Sequence, residues 1–179
     1  MRILWIWMIF ASVFIHAGTI SKAYYAGGCF CGVEYYLEKL KGIKEVRSGY
    51  MGGFVKNPTY EQVSSHTTGH LESVEVLYDP NIISYETLTK MFFEIHDPTQ
   101  KNGQGPDIGE QYQSAIFVNT YQERLIALSL IQQLRSYGFD IATKVLPVST
   151  FYPAETYHQD YYVKHGKLPY CHSYVKRFR

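Results

Sequence analysis

The stretch Tyr24-Tyr25-Ala26-Gly27-Gly28-Cys29-Phe30-Cys31-Gly32-Val33 changes its structural character at the paired glycines. Tyr24 to Gly27 suits a short strand that runs into a turn at Gly27-Gly28. Beyond it, Val33, Leu37 and Leu40 fall at i, i+4 and i+7, the buried stripe of a helix. Gly27 to Gly32 therefore joins the end of a strand to the start of a helix.

Outward from this junction the elements alternate. Ile43 to Tyr50 can form a strand, ended by Gly52-Gly53, and Lys56 to Gly69 is a long loop rich in Ser, Thr, Asn and Pro. Loops of that length in a compact domain are usually functional or disordered. Glu72 to Tyr78 alternates, with Val74 and Val76 on one face, until Asp79-Pro80 stops it. Ser84 caps a helix bearing Leu88, Met91, Phe92 and Ile95. A second polar loop spans Asp97 to Gln111, and Ser114 to Val118 is a strand. Thr120 with Glu123 makes a capping box for a helix through about Arg135. Ile141 to Leu146 is a strand, and Pro153 opens a last helix to about His165. The order βαββαβαβα favours an α+β two-layer sandwich, a ferredoxin-like mixed sheet with flanking helices and long loops.

With 179 residues the chain is long enough to bury one real core. Lys and Arg number 17 against 16 for Asp and Glu, so there is no basic field for nucleic acid. Three cysteines, Cys29, Cys31 and Cys171, are too few and too uneven for a disulfide scaffold. At the N-terminus, Arg2 precedes an apolar run from Ile3 to Phe14, the form of a secretory signal. Ala17-Gly18 or Ser21-Lys22-Ala23 would supply the cleavage site. An uncleaved anchor and a buried helix are the alternatives. The expected organisation is a signal or anchor at residues 1–22 and a single domain at 23–179, placed in the cell envelope or secreted.

The junction is also where chemistry gathers. Unpaired amides of the first helical turn point at Cys29, and they favour a thiolate over a thiol of ordinary pKa about 8.5. A cysteine so placed is a candidate nucleophile.

Gly28-Cys29-Phe30-Cys31-Gly32 resembles the Gly-Cys-Phe-Trp-Gly signature of the peptide methionine-(S)-S-oxide reductases, A class. Asn57-Pro58-Thr59-Tyr60-Glu61, Thr68-Gly69-His70-Leu71-Glu72, His96-Asp97-Pro98-Thr99-Gln100 and Gly109-Glu110-Gln111-Tyr112 are similar to further family segments. So are Phe151-Tyr152-Pro153-Ala154-Glu155, Tyr157-His158-Gln159 and Pro169-Tyr170-Cys171, so the resemblance covers about residues 23 to 175.

The resemblance implies roles. Cys29 attacks the sulfoxide sulfur, Glu72 protonates the oxygen, and Tyr60 and Tyr112 hydrogen-bond that oxygen. Phe30, Cys31 and Asp107 shape the substrate pocket. A carboxyl group can act as an acid at neutral pH only if its pKa is raised, for which burial is one means. The sulfenic acid left on Cys29 must condense with a second thiol, and Cys171, on a C-terminal tail free to approach, matches the resolving position. The implied partners are methionine sulfoxide-containing proteins and a thioredoxin-like reductant. No cofactor, metal or nucleic acid is implied, and a monomer is expected.

Cys31 replaces the family's usual Trp, which should widen the pocket. It is also a second candidate for resolving Cys29. Helical rotation of about 100° per residue would aim the two thiols to different sides. His66, His70, His96 and His158 lack zinc-ligand spacing and read as structural. A thiol peroxidase or disulfide oxidoreductase is the competing enzyme class, although no Cys-x-x-Cys pair is present. A binding module that has lost turnover is the non-enzymatic alternative.

Overall fold

The computed structural model describes residues 19–179, and the apolar run after Arg2 lies outside them. The chain forms β1 (Ser21–Ala26), α1 (Phe30–Leu37), β2 (Ile43–Met51), α2 (Tyr60–Ser64), β3 (Leu71–Tyr78) and α3 (Tyr85–Ile95). A small hairpin of β4 (Gly103–Gln104) and β5 (Asp107–Ile108) follows, then β6 (Ala115–Val118) and α4 (Tyr121–Ser136). β7 (Lys144–Pro147), β8 (Tyr152–Pro153) and α5 (Tyr161–His165) complete it.

Six strands make one sheet in the order β7-β6-β1-β3-β2-β8. Neighbours are antiparallel except β6 and β7. β1 and β2 both run antiparallel to β3 between them, so α1 links two parallel strands around an inserted one. α3 links β3 and β6 around β1 in the same way. Two interlocked split βαβ units give the α+β, ferredoxin-like sandwich.

Strand alternation sorts the core into two faces. Ala23, Tyr25, Val74, Val76, Ile116 and Val118 belong to one cluster with Leu37 of α1, Phe92 of α3 and Leu134 of α4. Tyr24, Ala26, Leu71, Ala115 and Phe117 pack with Met51 on the opposite face. β1 is therefore central. Its Tyr25 stacks on Phe92 at 4.7 Å between ring centroids, and its hydroxyl pairs with Thr89 Oγ1 at 2.9 Å.

Four local expectations are corrected. β1 begins at Ser21, opposite Tyr78, so cleavage at Ser21-Lys22-Ala23 would cut into a paired strand. The loop from Lys56 to Gly69 contains α2, because Thr59 and Gln62 form a reciprocal capping box. At α4, Thr120 Oγ1 accepts from Glu123 N at 3.1 Å. The Glu123 carboxylate, however, accepts from Asn119 N, 2.6 Å away, so that box is shifted by one residue. Pro153 opens no helix. It lies in β8, and α5 starts only at Tyr161.

The reason is the demand of β2 for a partner on its outer side. Ala154 N donates to Ser48 O at 2.9 Å. The Gln159 side-chain amide accepts from Ser48 N and donates to Ser48 O, each at 2.9 Å, imitating a strand. The two outermost strands, β7 and β8, are short, and each contains a proline, Pro147 and Pro153.

Candidate active site

Gly28 makes the turn from β1 with φ +95°, and a Cβ there would lie 2.4 Å from Gln104 Cβ. Cys29 follows as the N-cap of α1, half-buried, with no side-chain capping bond. Its thiol is pushed well down in pKa. The protons of the Cys171 and Cys31 thiols, and the Gly32 N–H, stabilise the anion more than burial opposes it.

Glu72 is the second residue of β3 and points with Val74 toward the helix layer. It is 2% exposed. Its Oε2 accepts from Phe30 N in the first turn of α1 at 3.1 Å. Burial first, and then the negative charge of Cys29, hold its carboxyl well above the usual range, against the pull of the Phe30 N–H. A carboxyl group whose surroundings favour its protonated form thus lies beside a thiol whose surroundings favour the anion.

Glu75, three residues along, faces the other way and behaves oppositely. Burial would raise it, but Lys22 Nζ at 2.8 Å and the Tyr24 hydroxyl at 2.7 Å bind its Oε2. With Arg47 Nη2 at 3.1 Å from Oε1, it stays ionised. One strand carries two carboxyl groups whose surroundings move their pKa values apart.

Tyr60 opens α2, and its N–H donates to Glu155 Oε1 at 2.9 Å, while Tyr50 donates its hydroxyl to Glu155 Oε2 at 2.8 Å. Glu155 thereby fastens α2 to β2. Tyr112 ends a 3₁₀ turn from Glu110. Burial and the nearby Glu72 push both phenols up, which leaves their hydroxyls as proton donors. Tyr60, Tyr112, Glu72, Cys29, Phe30, Cys31 and Asp107 line one cleft of about 240 Å3. All the expected pocket residues meet there.

Two expectations about the thiols need correction. Cys31 does not point away from Cys29, because Cys29 has φ −53° and ψ +116° and lies outside the helical rotation. The Cys31 thiol donates toward His158 O at 3.4 Å and also supports the Cys29 anion. Cys171 is not on a free tail. It is buried, and the residues around it are pinned to the domain. Tyr170 donates to Asp107 at 2.9 Å, Val175 N to Glu94 O at 2.7 Å, and Arg177 Nη1 to Phe93 O at 2.9 Å. None of the three cysteines is in a disulfide.

Four further residues line the cleft without having been expected there from the sequence: His158, Tyr161, Tyr162 and Tyr170. His158 packs its ring against Tyr60 and Phe30, with centroids 4.5 and 4.9 Å away. Their signal in the sequence is the run of aromatic residues from Tyr157 to Tyr170, which by itself looks like ordinary packing. These rings keep the cleft walls aromatic although Cys31 is small.

His70 and His96 serve the scaffold. His70 Nδ1 accepts from Gly53 N at 3.1 Å, and its Nε2 reaches Val55 O at 2.8 Å. His96 bonds Phe92 O and Ser114 Oγ. Among the described residues, Glu34, Glu38 and Asp160 form a set with ligand atoms within 4.8 Å of one another. Lys164 Nζ, 3.2 Å from Asp160 Oδ2, already supplies counter-charge there. Glu38 and Asp160 also border a larger cavity of about 550 Å3 along β2, which contains none of the cysteines.

The model of the family "Peptide methionine sulfoxide reductase" matches residues 21–179. The chain belongs to this family. The peptide methionine sulfoxide reductase MsrA of Thermus thermophilus is 48% identical over 147 residues, 82% of this chain and 84% of that protein. The MsrA of Nautilia profundicola is 46% identical over 150 residues, 84% of this chain and 87% of the relative. Among solved structures, reduced Mxr1 from Saccharomyces cerevisiae superposes with a TM-score of 0.80 at 34% identity, covering 87% of this chain and 92% of Mxr1. The methionine sulfoxide reductase A of Corynebacterium diphtheriae gives 0.76 at 34% identity, covering 87% of this chain and 78% of its own. In this reductase, then, Cys29, the thiol pushed down in pKa, is the cysteine set beside the carboxyl group that burial pushes up.

Proposed function

We propose that this reductase acts on the S epimer of methionine sulfoxide in peptides and proteins, with Cys29 as nucleophile and Glu72 as acid. The observation that supports this best is the meeting, in one aromatic cleft, of a Cys29 thiol pushed down in pKa and a buried Glu72 carboxyl pushed up. The thiolate attacks the sulfoxide sulfur while Glu72 gives its proton to the sulfoxide oxygen. The hydroxyl so formed then passes to the Cys29 sulfur as the bond between the two sulfurs breaks. Tyr60 and Tyr112 donate hydrogen bonds to that oxygen. Methionine leaves, and Cys29 becomes a sulfenic acid.

Cys171 then condenses with it, giving water and a Cys29–Cys171 disulfide. A thioredoxin-like protein reduces that disulfide, a reading supported by the solved complex of Mxr1 from Saccharomyces cerevisiae with Trx2. The test is incubation with peptides carrying each epimer and dithiothreitol. Only the S epimer should be consumed. Consumption of the R epimer alone, or of peroxide without either epimer, would overturn the reading and favour a thiol peroxidase in the second case.

Export is part of the same proposal, supported by Arg2 and the apolar run from Ile3 to Phe14. The domain should be found in the envelope or medium after cell fractionation. Finding the full-length chain only in the cytosol would reject it.

A further inference from the structure

His172 is a buried histidine that the steps above leave unused. Its ring is fixed at both nitrogens. Nε2 lies 2.7 Å from the carbonyl oxygen of Gly27, which can only accept, so Nε2 holds the proton. Nδ1 of the neutral ring is then the free lone pair, 3.0 Å from Cys171 Sγ, and the thiol donates to it. Gly32 makes this approach possible, since a Cβ there would lie 2.2 Å from Nδ1.

We propose that His172 is the catalytic base of disulfide formation, taking the proton of Cys171 as that sulfur attacks oxidised Cys29. This rests on the Cys29–Cys171 chemistry just described. In the resting enzyme the Cys171 proton has two acceptors, the Cys29 anion and Nδ1. The Cys29 anion, burial and Asp107 keep Cys171 a thiol. Oxidation turns Cys29 into a neutral sulfenic acid, which removes the competing acceptor and moves the negative charge from Cys29 to Glu72.

The Cys171 proton passes to Nδ1, the new S–S bond forms, and the Cys29 S–O bond breaks. Hydroxide departs with the proton held on His172, as water. The Cys171 thiol is oxidised and the sulfenic acid reduced, with no other reagent. Cys171 touches the ring, and the other titratable groups whose charge acts on it are Cys29, Asp107 and His96. Tyr36 bonds the His172 carbonyl rather than the ring. Burial outweighs Cys29 and Asp107 and holds the imidazole below its ordinary pKa, so it is an available base at neutral pH.

The experiment separates the two half-reactions. Cys29 is oxidised by one equivalent of sulfoxide peptide or, separately, of hydrogen peroxide. Methionine release and disulfide formation are then followed by rapid quench across pH 5–9. His172→Gln can keep a donor to Gly27 O while removing the base. It should slow disulfide formation about 10²-fold at pH 7, within the range for a lost general base. Its rate should then rise about tenfold per pH unit as the thiol ionises unaided, while methionine release changes by only a few fold. Equal loss of both steps, or a parent-like rate and pH profile, would overturn the proposal.

If His172→Gln fails to fold, the parent decides. Its disulfide step should be level through neutral pH, and a steep rise through the thiol range would overturn the assignment. A parent that forms the disulfide with peroxide but releases no methionine would refute the sulfoxide reading alone.

Discussion

Cys29→Ser is expected to abolish methionine release in single-turnover experiments while leaving the protein folded. A serine hydroxyl does not ionise near neutral pH, so the stabilisation offered by Cys171, Cys31 and Gly32 has no anion to act on. The fold should tolerate the change because Cys29 is half-buried and makes no capping bond. Serine is a preferred N-cap residue, and a gained cap is worth roughly 0.5–2 kcal/mol. Activity and stability should thus move in opposite directions. More than a few per cent residual release, measured by chromatography of the product peptide, would remove Cys29 from the mechanism.

Glu72→Gln should slow the same step by about 10²–10⁴-fold, the usual range for a positioned acid. The amide has nearly the same shape and can still accept from Phe30 N, but it has no acidic proton to give. In the parent, the rate should fall as pH rises through the elevated pKa of Glu72. The variant should lack that limb.

Stability gives a second readout. Because the folded pKa is raised, the native state binds more protons than the unfolded chain from about pH 4.3, the unfolded value, upward. Glu72 therefore lowers stability as pH rises through that window, until the folded pKa is passed. Glutamine removes the effect, so the variant should melt above the parent at neutral pH and near it at about pH 4. A wild-type single-turnover rate, or a lower melting temperature at pH 7, would contradict the role of a buried neutral acid.

The sheet and its helices were readable from local pattern. The alternation of Val74 and Val76, the stripe of Val33 and Leu37, and the Ser84 cap are all set by neighbours in sequence. The Ser84 side chain indeed accepts from Thr87 N at 3.1 Å. The helix expected from Pro153 failed for a long-range reason. Pro153 and Gln159 are governed by the open side of β2, more than a hundred residues earlier, which no local window contains.

The site divides in the same way. Cys29 and Glu72 stood out by position and motif. Their electrostatics arise from a long-range meeting of α1, β3 and the C-terminal segment. His172 was invisible because its role depends on a contact with Gly27, 145 residues away. The thiol of Cys31 was misplaced by assuming that helical rotation began one residue too early.

The short outer strands have a consequence for how the molecule behaves in concentrated solution. A sheet ends in rows of unpaired amides and carbonyls, a ready template for stacking one chain onto another. Here Pro147 and Pro153 each delete an N–H from such a row. Lys144 adds a charge to one rim, and the Gln159 amide occupies hydrogen-bonding groups of β2 on the other. Sheet extension from copy to copy is therefore discouraged at both rims. A domain that meets oxidants, where partial unfolding and clumping are a hazard, closes that route with a few side chains.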